Sequence, residues 1–190
     1  NLREVASAIS AYIDNQNITV DELLNHIKGP DFPTGGIIFG KNGIADAYRT
    51  GRGKILVRGR FNIEVSKTGL ESIVFTEVPY GVNTRTLCEK IGELARDKVI
   101  DGISAINDES SDRSGMRIVI HLKRGAITKV VINQLFAKTA LQSSFGVINL
   151  ALVKGRPQIL NLKQIIKCFV DHRDEVITRR VTFDLNKARA

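Results

Sequence analysis

The sequence predicts an α+β fold, an antiparallel sheet with helices packed on one face, flanked by N-terminal helices and a long C-terminal helix. Three observations carry the prediction. Between residues 54 and 139 the hydrophobic period switches in the order β-β-α-β-β-α, a pattern met by an antiparallel sheet covered on one side. Before it, Val5, Ala8, Ile9, Tyr12 and Ile13 recur three and four apart, which is one face of a helix over 2–15. After it, a helical pattern runs from Leu162 to Ala190 without a stop signal, a span of about 40 Å.

The elements follow in order. Thr19 caps a short helix over Val20–Ile27, with Glu22 at the third position of a capping box. Lys28 to Gly36 holds two prolines and three glycines, and neither helix nor strand survives such a run. A short strand, Ile37–Phe39, and a helical turn or two at Ile44–Tyr48 come next. Residues 54–65 alternate and 70–78 are β-branched and aromatic, joined by Ser66-Lys67-Thr68-Gly69, a hairpin signal. Asn83–Asp97 is an amphipathic helix striped by Leu87, Ile91, Leu94 and Ala95. Strands at Gly102–Asn107 and Arg117–Leu122 flank a polar loop, and Ile127–Thr139 forms a second amphipathic helix. Residues 147–160 read as a hairpin turning at Lys154-Gly155-Arg156-Pro157. The expected organisation is a helical and connector part over 1–53, a sheet domain over 54–160 and the start of a coiled-coil arm over 161–190. The absence of an initiator Met and of a closing stop signal reads as a piece of a longer chain.

Composition narrows the function. The 190 residues include 28 Lys+Arg against 20 Asp+Glu, a formal charge of +8, and 43% are hydrophobic. That apolar share supports a real core and excludes intrinsic disorder. No apolar run is long enough for a membrane span, and no secretory leader is read at the start. Cys88 and Cys168 are expected as free core thiols of a cytoplasmic protein. The positive excess points to an anionic partner.

The excess is densest at Arg49-Thr50-Gly51-Arg52-Gly53-Lys54, continuing to Arg58 and Arg60. Read as a strand, Lys54, Leu56, Arg58 and Arg60 face one way and Ile55 and Val57 the other. Same-face neighbours lie about 6.7 Å apart, a spacing that follows phosphates along a duplex. Gly51 and Gly53 would let the backbone approach and offer N–H groups to phosphate oxygens. The competing reading is a solvated strand face. A nucleotide loop is excluded, because Tyr48 and Ile55 stand where the phosphate-loop pattern needs Gly and Ser or Thr. His26, His121 and His172 lack ligand spacing for zinc, and Asp108-Glu109-Ser110-Ser111-Asp112 lacks the spacing of a calcium loop. Tyr12, Tyr48 and Tyr80 read as packing residues, and no constellation assembles a catalytic centre.

Motifs along the whole chain carry a resemblance. Gly29-Pro30-Asp31-Phe32-Pro33-Thr34, Ala47-Tyr48-Arg49-Thr50-Gly51-Arg52-Gly53-Lys54, Glu77-Val78-Pro79-Tyr80 with Val82-Asn83, and Gly102-Ile103-Ser104-Ala105 stand in order. Asp108-Glu109-Ser110, Gly115 to Ile120, Ser144-Phe145-Gly146, His172-Arg173 and Thr178-Arg179-Arg180 complete the series. Together they resemble the A subunits of bacterial DNA gyrase, type IIA topoisomerases, with the A subunits of topoisomerase IV as the near alternative.

The resemblance implies the tower domain of the breakage-reunion core and the start of the coiled-coil arm. It implies double-stranded DNA as partner, together with a second A subunit and the gyrase B subunit. The complete assembly would be an ATP-hydrolysing topoisomerase. The nucleophilic tyrosine of the family stands in an Arg-Tyr-Thr context absent here, so no catalytic role falls on Tyr48 and the piece alone is expected to be inactive. No cofactor is expected in this chain; magnesium and ATP belong to the B subunit. The expected DNA contacts are Arg49, Arg52, Lys54, Arg58 and Arg60, then Asn83 and Arg85, with Gln142 and Ser143 weaker still. Arg179, Arg180, Lys187 and Arg189 on the late helix face either DNA or solvent.

Overall fold

The computed structural model describes residues 1–113 and 115–189. They divide into two compact units that interleave in sequence. The first unit is Asn1–Pro30, Lys41–Ile55 and Gly146–Ala190; the second is Asp31–Gly40 and Leu56–Phe145. Helices and antiparallel sheets are both present and a long helix ends the described chain, so the fold is α+β.

In the first unit, helix α1 (Leu2–Asp14) buries Ala8 and Tyr12, one turn apart on the predicted stripe. Helix α2 is shorter than its sequence pattern, Val20–Leu23. Thr19 caps it as expected, its Oγ1 accepting from Glu22 N–H while the Glu22 carboxylate accepts from Thr19 N–H. The chain then tightens into turns at Asn25 and His26 that still bury Ile27. Helix α3 (Asn42–Thr50) buries Ile44, Ala47 and Tyr48 and ends on Gly51. Helix α6 (Leu162–Arg189) begins with a reciprocal cap: Asn161 Oδ1 accepts from Gln164 N–H at 2.8 Å and Gln164 Oε1 from Asn161 N–H at 2.9 Å. Its first turns pack on α1, α2 and α3 through Leu162 and Ile166. Past Ile166 no described residue of α6 is buried, and the pairs Lys167–Asp171 and Glu175–Arg179 lace its surface at helical spacing. The hairpin β8 (Leu150–Val153) and β9 (Arg156–Ile159) turns at Lys154 and Gly155, both at positive φ, the backbone of a tight two-residue turn.

The second unit is built on a four-stranded antiparallel sheet of β3 (Arg60–Val65), β4 (Glu71–Glu77), β5 (Ile103–Asp108) and β6 (Ile118–Leu122) in the order β3-β4-β6-β5. Alternate residues Ile73, Phe75, Ile118 and Ile120 point to one face and are completely buried. Helices α4 (Thr84–Arg96) and α5 (Thr128–Lys138) cover that face with Leu87, Ile91, Val131 and Leu135. Each such side chain contributes about 1.5–3 kcal/mol by leaving water. Rings of Phe61, Phe75 and Phe136 meet at centroid distances of 5.6–6.2 Å, tilted or edge-on as aromatic quadrupoles prefer. The opposite face sets polar side chains around the buried pair Val74 and Val119. Arg117 forks onto both carboxylate oxygens of Glu64 at 2.8 and 2.7 Å and donates through Nε to Glu109 at 3.0 Å. His121 bonds Ser72 at 2.9 Å beside it.

One predicted strand is two. The strand predicted over 54–65 breaks at Gly59, and β2 (Arg52–Arg58) joins a three-stranded sheet with β1 (Ile37–Ile38) and β7 (Gln142–Ile148). Gly59 donates its N–H to Leu141 O at 2.8 Å, and a Cβ there would stand 2.7 Å from Glu77 O. The long-range pairing ends one strand and begins the next. Strand β7 likewise starts earlier than the sequence pattern, at Gln142. Lys54 is exposed while Ile55 and Val57 are buried, so the two-residue alternation along β2 is as predicted. Arg60 falls on β3, and is not on the same strand as Lys54 and Arg58.

Candidate nucleic-acid interface

In the first unit the basic run leaves helix α3 and enters β2. Arg49, in the last turn of α3, binds Asp21 through both Nε and a terminal nitrogen at 2.7 Å. Gly51 then reverses the chain at φ +79, donating its N–H to Ala47 O at 2.8 Å. The Thr50 hydroxyl fastens the corner, lying 2.7 Å from Asp46 O and accepting from Arg52 N–H at 3.2 Å. A Cβ on Gly51 would stand 2.6 Å from Leu160 O, and one on Gly53 2.5 Å from Gly43 O. These glycines therefore serve close packing against the chain's own backbone. The phosphate-facing role read from the sequence does not fit Gly51, which is buried with its N–H already bonded.

Beyond that corner Arg52 and Lys54 are exposed. They stand two residues apart on one strand face, about 6.7 Å along the chain. Among the described residues neither pairs with a carboxylate. They are held by a fixed corner and leave two full charges to solvent.

In the second unit the predicted contacts are all engaged within the chain. Arg58 is half-buried, its guanidinium 3.6 Å above the ring of Phe39 and 4.9 Å from that of Phe136. Its Nε donates to Gln142 Oε1 at 2.6 Å. Arg60 Nε lies 3.3 Å from Glu77 Oε1. Arg85 pairs with Glu89 one turn along α4 at 3.2 Å. Asn83 caps α4, its Oδ1 accepting from Thr86 N–H at 3.1 Å. Gln142 is the acceptor of Arg58, and Ser143 lies half-buried on β7. On α6 of the first unit, Arg179 and Arg180 each have a carboxylate one turn away.

The structure adds partners that the spacing of the sequence did not contain. Phe39, Glu77 and Asp21 are each distant in sequence from the arginine they engage, and nothing local signals the pairing. Phe32, Tyr80 and Phe145 form an aromatic trio in the second unit, with centroids 5.1–6.3 Å apart. Tyr12 and Tyr48 are buried and Tyr80 is half-exposed, in keeping with packing roles. Cys88 and Cys168 are free thiols, and burial pushes the Cys88 thiol above its ordinary range. Among the described residues no helix is long and apolar enough to cross a membrane.

Comparison with known proteins gives this arrangement a lineage. The family model for the A subunit of DNA gyrase/topoisomerase IV matches residues 1–190. The DNA gyrase A subunit of Treponema pallidum is 63% identical over 189 residues, covering 100% of this chain and 23% of the relative. The gyrase A subunits of Brachyspira hyodysenteriae and Escherichia coli are 53% and 54% identical over 190 residues, covering 23% and 22% of their lengths. The chain thus spans less than a quarter of the curated relatives it matches, and it belongs to the family of DNA gyrase and topoisomerase IV A subunits.

Proposed function

We propose that the chain is a DNA-binding segment of the A subunit of a type IIA topoisomerase, of gyrase type, corresponding to the tower domain and the start of the coiled-coil arm. It carries the flank of a bent duplex while cleavage takes place at a tyrosine outside this sequence. Bending a duplex of 20–30 base pairs costs about 1–6 kcal/mol, and cationic side chains along the flank offset that cost through phosphate contacts. The observation that carries the reading is the pair Arg52 and Lys54, exposed, unopposed by carboxylates and spaced along one strand face. Arg49, Arg58, Arg60, Asn83 and Arg85 are secondary contacts, since each already has a partner within the chain. The complete machine pairs two such subunits with the gyrase B subunit, which holds ATP and magnesium, and works in the cytoplasm.

The names of the relatives support the gyrase assignment over topoisomerase IV. A purely structural brace for the arm is the competing role. Duplex affinity measured against salt separates them. The DNA-binding role predicts affinity that falls steeply from 50 to 200 mM salt and varies little with sequence. No measurable duplex affinity at 50 mM salt would leave the brace.

A further inference from the structure

The Glu77 carboxylate occupies an anion site built from two distant parts of the second unit. One oxygen takes Arg60 Nε at 3.3 Å, and the other accepts the Gly36 N–H at 2.5 Å. The backbone is shaped for it. Gly35 and Gly36 stand in succession at φ +69 and +99, and a Cβ on Gly35 would lie 2.5 Å from the Glu77 oxygen. This backbone, open to glycine, leaves the Gly36 N–H turned toward the carboxylate. An arginine beside a backbone N–H is also the donor set that binds phosphate oxygens on nucleic acids. Arg60 keeps 56% of its side-chain surface exposed and Glu77 31%, so an incoming anion can reach the guanidinium without unfolding the strand.

We propose that Arg60 and the Gly36 N–H form a phosphodiester-binding station that Glu77 fills in the absence of DNA. The inference rests on the proposed DNA-binding role and adds its regulation. When a backbone phosphate arrives, the Glu77 carboxylate leaves Arg60 for water and the phosphate takes its place. The station is therefore self-masked. It contributes little to encounter, and it engages only where the duplex is pressed against this edge of the unit. The carboxylates that meet Arg49 and Arg85 are held differently. Asp21 and Glu89 hold Arg49 and Arg85 through side-chain bonds alone.

The test is duplex affinity against salt in the full chain, for the wild type, E77Q, R60Q and the E77Q/R60Q double variant, with melting temperature read alongside. Gln keeps an acceptor for Gly36 N–H and removes the charge that masks Arg60. E77Q is expected to bind more tightly at 50 mM salt and to lose about threefold more affinity than the wild type by 200 mM, one extra phosphate contact. R60Q in the E77Q background is expected to abolish that gain. Equal slopes for wild type and E77Q, or a gain that survives R60Q, overturn the station. A wild type without duplex affinity overturns the DNA-binding role itself, so the two failures are told apart. Should E77Q fail to fold, E77D draws the carboxylate back by one methylene. It is expected to shift the slope the same way by less, and a slope equal to wild type overturns the station.

Discussion

Among the predicted contacts, the first unit leaves two cations open, whereas those of the second unit are all engaged. In the first, Arg52 and Lys54 stand exposed and unopposed beyond a corner fixed by Gly51 and Thr50. In the second, Arg58 is stacked on Phe39 and bonded to Gln142, Arg60 is met by Glu77 and Arg85 by Glu89. The charge of a residue is a property of the sequence, but its availability is a property of the fold. A cation already paired must lose one partner to gain another, and exposed pairs are worth only about 0–1 kcal/mol, so exchange is feasible but adds little. An unpaired exposed cation gives its full counterion release to an incoming phosphate. A stacked arginine gives its energy to the fold.

The corner that holds Arg52 is the most sensitive point. Gly51→Ala places a side chain at φ +79 with its Cβ 2.6 Å from Leu160 O. The left-handed penalty and the enforced backbone shift together are expected to cost about 2–5 kcal/mol, read from the denaturant midpoint. A stability equal to wild type would mean that the corner does not hold Arg52. Next in size is Arg58→Ala, which removes a cation–π contact and orphans Gln142. It is expected to destabilise by about 1–3 kcal/mol, whereas Arg52→Ala stays within about 0.5 kcal/mol. Equal effects of the two on thermal stability would erase the distinction between stacked and free cations.

The smallest effect concerns the polar face of the second unit. Hydrogen bonds from Arg117 hold the Glu64 carboxyl below its ordinary value of 4.5 and push the arginine up. The stabilisation from Glu64 is therefore complete above pH 4.5 and is lost as pH falls through the lower folded value. Melting temperatures from pH 6 to 3 are expected to fall slightly less steeply for E64Q than for wild type. An unchanged profile would show that this exposed bridge contributes nothing to acid stability.

Local signals carried much of the fold. The stripe of Leu87 and Ile91 and the capping box at Thr19 each lie within a few residues, and helices α4 and α2 begin where those signals put them. The β-β-α-β-β-α order also survives, from β3 to α5. The break at Gly59 was not legible, because alternation continues across it. It is the pairing with Leu141, far along the chain, that ends β2. The candidate interface divides in the same way. Its charges and their spacing were visible in Arg49 to Arg60, but which of them remain available depends on Asp21, Phe39 and Glu77. Those partners arrive through tertiary folding and leave no periodic trace.

In the proposed role, availability rather than charge alone decides which cations meet DNA. The slope of log affinity against log salt tests it directly, compared between R52Q/K54Q and R49Q/R85Q in the full chain. Two available contacts predict that R52Q/K54Q flattens the slope by about 1.8, with the paired-cation variant clearly less affected. Equal flattening by both variants, or a larger change for R49Q/R85Q, would mean that paired cations serve DNA as well as open ones.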